Sequence, residues 1–394
     1  MTELSWHSLN FAGLNLLVKQ QLKRKFIKTV TLDQLNLPEP EVMVALPEVI
    51  DTPEALTMPF SQNKRNWRKS TYASLTAKTV VLANVIYVPE YNIVLTPQKQ
   101  IITDSFTPVK SQNEFKLSYL YGRKIQKISG YCTLIQQLSN NYYHHLNENI
   151  PRFYLSCCHP AIAAAKSVKL ICGEPIWDNF FLPELIPKRV QPLRLEPGRN
   201  YRLEKLCLTT FMTQDGNGHF PQKVRAEIFT RFLPQRPPRP QHHIYISRAK
   251  APLGRHIANE AALLKALTPL KFKKYILEDM PFSQQIELFY DAKIVVAPHG
   301  AGLSNLLFGK HLKVLELFSQ PTVTPHYYYL AKSMGHEYRY WCSPQHCDPY
   351  SNFTVEIEQV QKLLADWLAA KSQTFKLTDY EINSRTTKSD REPK

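Results

Sequence analysis

From residue 242 to 335 the chain alternates short apolar runs with stretches of helical spacing, and this alternation restricts the fold more than any other feature. Residues 243–247 (HIYIS), 272–277, 293–297 (KIVVA) and 313–318 (KVLELF) read as strands. Residues 259–267, 283–292, 303–308 and 324–334 read as helices, the last ending at Gly335, with Ser283 the expected N-cap of the second. Strands that alternate with helices and are apolar on both faces belong in a parallel sheet covered on both sides. A Rossmann-like α/β domain is expected here.

Residues 232–241 (FLPQRPPRPQ) precede this segment. Their four prolines support neither helix nor central strand, and such spacers are stiff and extended. A domain junction is expected there. Upstream, residues 71–106 are rich in Val, Ile, Thr and Tyr and read as several antiparallel strands, with turns at Pro89–Glu90 and Thr96–Pro97. Residues 141–156 and 177–185 read as helices and 168–172 as a strand, so a second α/β domain with an added β layer is expected. Residues 355–371 read as a long amphipathic helix, and the polar tail as disordered. The expected divisions are an N-terminal helical or extended segment 1–70, an α/β domain 71–233, a Pro-rich linker 234–241, the Rossmann-like domain 242–342, a C-terminal helix 343–371 and a tail 372–394.

Hydrophobic residues at 43% and charged residues at 21% fit a globular chain and exclude whole-chain disorder, collagen and coiled coil. A formal charge of +16 favours anionic partners: nucleic acid, an acidic membrane face or phosphate-bearing ligands. Seven cysteines without a regular pattern do not make a fully paired framework, so a reducing, cytoplasmic compartment is expected. No run of 18 apolar residues predicts a membrane span. The basic cluster Lys19, Lys23, Arg24 and Lys25 follows an apolar stretch instead of preceding it, the wrong order for a secretory signal. That segment reads as a helix packed on the body, or as an amphipathic helix lying on an anionic membrane.

Three groups of residues carry chemistry. Residues 298–305 (PHGAGLSN) follow strand KIVVA and open a helix, the place in a parallel sheet where ligands bind. Gly300 and Gly302 let backbone N–H groups approach a phosphate closely, and His299 adds a donor. A plain tight turn would use the same glycines. In residues 247–260 (SRAKAPLGRHIANE), Arg248 and Arg255 follow strand HIYIS. Two guanidinium groups there suit a diphosphate, although solvated loop arginines give the same pattern. In residues 140–152 (NNYYHHLNENIPR), His144 and Glu148 share a helical face as a general base and its orienting carboxylate, while His145 projects elsewhere. A packed or capping histidine is the plainer reading. The chain has no DxD, GxxxxGK[ST] or GxSxG motif. Cys342, His346, Cys347 and Asp348 lack the matching second pair of a structural zinc site, so no metal is expected. Cys157, Cys158 and His159 read as buried thiols beside a helix end.

The ordered set S-R-x6-R-x3-N-E, F-S-x-Q-I-x-L-F-x-x-A, H-G-A-G-L-S-N-L-L-F and V-x-E-L resembles glycosyltransferase family 61, and NYYHHLNENIPR resembles that family's Y-x-H-W-L-x-E-x-x-P-R segment. The resemblance spans residues 139–335. It implies a GT-B-like α/β plan: two Rossmann-like domains facing a cleft, with extra strands in the N-terminal one. It also implies an inverting, metal-independent sugar transfer from a nucleotide-sugar, expected to be a UDP-sugar, with no cofactor. The acceptor would be a glycan or lipid-linked sugar in surface polysaccharide synthesis. Arg248, Arg255, His299, Gly300, Ala301, Gly302, Asn305 and Glu316 match donor-side positions, with Glu316 directed toward ribose or sugar. His144 and Glu148 fall on the catalytic side. His145 stands where the family often has Trp. The rival reading is a non-enzymatic basic binder of membrane or nucleic acid, for which KRNWRKSTY (residues 64–72) is the only local candidate. A nucleic-acid partner is not expected.

Overall fold

In a computed structural model of the chain, the residues described are 28–35, 37, 41–44, 49–51, 71–73, 77–105, 119, 122–135, 141–172, 186–211, 218, 222–319, 323–344 and 347–369. The expected basic N-terminal helix, the helix at 177–185, His346, the tail and most of KRNWRKSTY lie outside them.

The alternating segment forms a five-stranded parallel sheet from β12 (His242–Ile246), β13 (Phe272–Tyr275), β14 (Ala292–Pro298), β15 (Lys313–Phe318) and β16 (Glu337–Cys342). Its order is β13-β12-β14-β15-β16, and every neighbouring pair is parallel. Written as positions within the sheet this is 2-1-3-4-5, a doubly wound order whose direction reverses between β12 and β14. The strand side chains alternate between two cores. Ile244, Ile246, Val295, Ala297 and Val314 enter one. Tyr245, Ile294, Val296, Leu315 and Leu317 enter the other, with Leu263, Leu267, Val360, Leu364 and Trp367 packed on them. Lys273 is exposed on the edge strand β13, where charge discourages pairing with another chain.

Among the described residues the upstream sheet has nine strands. They are β1 (Thr29–Val30), β2 (Glu41–Val44), β5 (Ala77–Val88), β6 (Ile93–Leu95), β7 (Ile101–Ile102), β8 (Ile125–Ile135), β9 (Val168–Cys172), β10 (Val190–Leu193) at one edge and β11 (Asn200–Thr209), while β3 (Val49–Asp51) and β4 (Thr71–Ala73) pair with each other. β11, β8, β9 and β10 pair in parallel, while β5 pairs antiparallel with β11 and with Ile93–Leu95. The sheet is thus parallel from β11 to β10 and antiparallel from β11 through β5 to Ile101–Ile102, and the β layer expected from residues 71–106 supplies that antiparallel part.

Among the described residues, the helical elements between the two sheets include α1 (Ile150–Cys158), α2 (Gln222–Ile228), α3 (Phe282–Tyr290), the 3-10 helix Ala301–Phe308 and α4 (His326–Ser333). Their apolar side chains form one buried cluster with residues of both sheets: Ile135, Leu170 and Cys207 from one, Ile244, Val295 and Val314 from the other. The Pro-rich stretch is fastened instead of swinging free. Arg236 forms a bidentate pair with Asp291 at 2.8 and 2.6 Å, and the Arg239 N–H donates to the same carboxylate.

Local readings need three corrections. α3 begins at Phe282 with Pro281 before it, so Ser283 lies inside the helix and is not its cap; proline fixes the φ suited to a helix start. Cys157 is buried but Cys158 is exposed, because successive residues of an amphipathic helix point in different directions. His159 accepts the Ala161 N–H at 3.2 Å and caps the next short helix.

Candidate active site

A cleft of about 780 Å³ opens at the carboxyl ends of β12 and β14, where the strand order reverses. Crevices at such switch points are where open α/β sheets bind ligands. One wall is the loop after β12, carrying Arg248, Ala251, Leu253 and Arg255. The floor is His299–Gly302 after β14. The opposite wall is Asn141–His144, ahead of α1, with His326 and Tyr327 beside it. The structure therefore brings together residues from both sides of the Pro-rich stretch.

The motif before α1 is not a plain helix. Tyr142–His144 runs into a π-helical turn, His145–Asn149, and then into α1. Pro151 explains it: proline has no N–H and crowds the carbonyl of an earlier turn, and a widened turn relieves that clash. His144 and Glu148 remain neighbours, with Nδ1 2.9 Å from Oε2. Glu148 is 6% exposed and His144 37%, so the carboxylate lies behind the ring and the ring meets the cleft. Burial alone would pull the imidazolium down. The Glu148 hydrogen bond and charge outweigh it and leave the His144 pKa above its ordinary value. His145 is buried, does not line the cleft, and is pushed by desolvation down to about 3. Arg152 is spent on structure: its Nε–H donates to the Thr209 carbonyl at 2.8 Å, and its guanidinium lies over Phe211.

Across the cleft, neither Arg248 nor Arg255 has an acidic partner among the described residues. Arg248 donates from Nε and Nη2 to the Gly254 carbonyl, both at 3.1 Å. Burial, then the Arg255 charge, lowers Arg248 to about 10; burial lowers Arg255 as well. Two crowded guanidinium groups without an ion-pair partner, with Glu278 and Glu316 acting only from a distance, leave a positive field that an anion with several oxygens would satisfy. Ser247 and Glu260, from the same motif, do other work. The Tyr245 and Ser247 hydroxyls donate to Glu260 at 2.9 and 2.6 Å, tying the strand end to the following helix.

Gly300 is needed for space, not for backbone freedom. A Cβ there would lie 2.0 Å from Arg248 Nη1. Asn305, expected to touch the donor, instead sits beneath the turn. It accepts from the Tyr142 hydroxyl at 2.9 Å and donates to Gln285 at 3.0 Å and to the Gly302 carbonyl at 3.1 Å. Gln285 in turn donates to the Leu277 and Met280 carbonyls. The sequence placed Tyr142 only as an aromatic position of its motif and gave no task to Gln285, which lies within a motif, or to His326 and Tyr327, which lie in none.

Glu316 is 0% exposed and does not line the cleft. It reaches the site through His299, whose Nδ1 is 2.6 Å from Oε1, while the Tyr338 hydroxyl donates to Oε2 at 2.5 Å. Burial pushes the Glu316 carboxyl up to about 8, with the Tyr338 hydrogen bond and Arg255 holding it back. Burial and the two arginines push His299 well below its ordinary value. Burial thus works against a full negative charge on Glu316 and against a full positive charge on His299. His299 Nε2 faces Thr324 at 3.4 Å on the cleft floor.

Among the described residues, no group of three or more His, Cys, Asp or Glu is placed to hold a metal ion. The fold and site together define an α/β protein with a basic cleft at a topological switch point. The family model for Glycosyltransferase 61 matches residues 142–315. That stretch includes His144, both arginines and the HGAG turn, and ends one residue before Glu316. No curated protein matches the chain.

Proposed function

We propose that the protein is an inverting, metal-independent glycosyltransferase. It moves a hexosyl, N-acetylhexosaminyl or pentosyl group from a nucleotide-sugar, a UDP-sugar first among candidates, to a glycan or lipid-linked acceptor in surface polysaccharide synthesis. The observation that carries this reading is the pairing across one cleft of two arginines lacking acidic partners with a His144–Glu148 couple. The match to Glycosyltransferase 61 over residues 142–315 supports the class.

In this mechanism Glu148 holds His144 through Nδ1, leaving Nε2 to accept the acceptor hydroxyl's proton. The acceptor oxygen attacks the anomeric carbon from the side opposite the diphosphate. The bond from that carbon to the phosphate oxygen breaks, its electron pair stays on the diphosphate, and the configuration inverts. Arg248, Arg255 and His299 Nε2–H stabilise the departing charge, the larger part of the rate enhancement in a site of this type. No helix among the described residues is long and apolar enough to cross a membrane. A cytoplasmic setting with peripheral contact to an anionic membrane fits the +16 charge.

The test is a panel of UDP-, GDP- and CMP-sugars assayed for hydrolysis and transfer, with a thermal-shift screen alongside. Stabilisation by free UDP and turnover of one donor are expected. A protein indifferent to every nucleotide would be a binder of another kind.

A further inference from the structure

The loop that carries Arg255 is held in an uncommon conformation. Gly254 and Arg255 are both left-handed, with φ of 62° and 60°. For arginine this region is sparsely populated, and such residues persist where their surroundings fix them. Here the surroundings are a second loop, residues 347–355, which follows β16 and returns across the sheet. The Arg255 N–H donates to the Tyr350 carbonyl at 3.1 Å, the His256 N–H to Asn352 Oδ1 at 2.8 Å, and the Phe353 N–H to the His256 carbonyl at 3.0 Å. Ile257 and Phe353 form a parallel bridge. A Cβ on Gly254 would lie 2.1 Å from the Tyr350 carbonyl oxygen, so the loops touch through backbone. Further along, Asn259 and Val355 exchange two hydrogen bonds of 2.9 Å each.

The second loop is itself organised by one carboxylate. Asp348 Oδ1 accepts the Tyr350 and Asn352 N–H groups at 2.9 and 2.8 Å, and Oδ2 accepts from Asn352 Nδ2 at 2.8 Å. The Asn352 amide therefore has both ends engaged: its nitrogen on Asp348, its oxygen on the backbone beside Arg255. Asp348 belongs to the Cys342–Asp348 group, whose spacing lacks the second pair of a metal site. The geometry gives it another task, and it lies outside the matched residues 142–315.

We infer that Asp348 and Asn352 are positioning residues for Arg255: the turn they build clamps the arginine loop in the left-handed conformation that aims the guanidinium into the cleft. This rests on the diphosphate reading of the cleft. The full chain carrying Asp348→Ala is compared with wild type by calorimetry against UDP and against inorganic pyrophosphate, and by amide hydrogen exchange without ligand. Asn352→Ala is run in parallel in case the first variant folds poorly. Faster exchange at residues 254–258, a five- to fiftyfold loss of UDP affinity, and no further loss when Arg255→Ala is added are expected. Asp348→Asn, which keeps an oxygen for the two backbone donors, should recover part of the affinity. Unchanged exchange overturns the clamp, as does unchanged affinity, or losses from Asp348→Ala and Arg255→Ala that add in full. Wild type that binds neither UDP nor pyrophosphate overturns the diphosphate reading instead, while exchange still reports on the clamp.

Discussion

Replacing Gly300 by alanine tests the anion site without touching a charged residue. The Gly300 φ is 173°, extended backbone that any residue adopts, so the substitution introduces no backbone strain. The new Cβ would stand 2.0 Å from Arg248 Nη1, a distance real Cβ atoms essentially never show, and 3.1 Å from Cζ. The atom in the way is the far end of a flexible side chain, so the fold should accommodate the methyl by moving the guanidinium. Arg248 would then leave its double contact with the Gly254 carbonyl and its aim into the cleft. A lost charge-assisted contact to phosphate costs about 1.5–3 kcal/mol, or roughly ten- to a hundredfold in affinity. Titration calorimetry with UDP on Gly300→Ala, Arg248→Ala and the double variant measures this. Both single variants should lose similar affinity, and the double should lie within about 0.5 kcal/mol of either, because the second change has nothing left to remove. Melting temperatures should stay near wild type. Full additivity, or a Gly300→Ala variant that binds UDP as well as wild type, would refute the idea that the glycine exists to seat Arg248.

His144→Ala should lower transfer by about 10²–10⁴ while leaving UDP affinity nearly intact; a smaller drop in kcat demotes the residue. His145 is buried, so His145→Ala should lower the melting temperature and spare kcat, and the opposite pattern would exchange the two roles. Activity should survive EDTA, since the arginines fill the charge role; complete loss restored by Mg²⁺ or Mn²⁺ would show a metal at work. The base must be unprotonated, so kcat should rise with pH through the His144 pKa, which Glu148 holds above its ordinary value. Removing that carboxylate in Glu148→Gln leaves burial to act alone, so the acid limb should move to lower pH; a limb that stays put removes His144 from the mechanism.

Much of this fold was legible because the parallel sheet writes itself as apolar runs. Residues 168–172 and 313–318 are strands at both predicted ends, and the other runs differ by one or two residues. The pairing of the upstream sheet was not legible. Its hinge strand β11 carries a register shift between Leu203 and Lys205, which breaks the alternation that marks a strand, and its partners are more than sixty residues away in sequence. The motifs marked the right region but not each side chain's task. Arg248, Arg255, His144 and His299 face the cleft; Asn305 and Glu316 hold those residues or their turn from beneath; Asn259, Glu260 and Arg152 fasten one element to another. A residue type and a spacing are shared by all three tasks, and only burial and direction separate them.

The cleft's electrostatics also explain why its support is so extensive. Each arginine is destabilised by burial, Arg248 also by the charge of Arg255; among the described residues neither forms an ion pair, and Glu278 and Glu316 act on them only from a distance. Beneath them burial works against a full negative charge on Glu316, which is paired with His299. A carboxylate in direct contact would calm the pair and weaken its hold on an anion by the same interaction. The fold instead restrains the arginines with neutral groups: the Gly254 carbonyl for Arg248 and, for the backbone of Arg255, the Tyr350 carbonyl. These fix position without cancelling charge. The unliganded protein is therefore less stable than it would be with an acidic partner in place, and on the proposed function the diphosphate would supply the counter-charge. Ligand that binds only the folded state stabilises it in proportion to the logarithm of its concentration over Kd. The thermal shift produced by UDP should accordingly exceed that of uridine by several degrees, and it should shrink toward the uridine value in Arg248→Ala and Arg255→Ala alike.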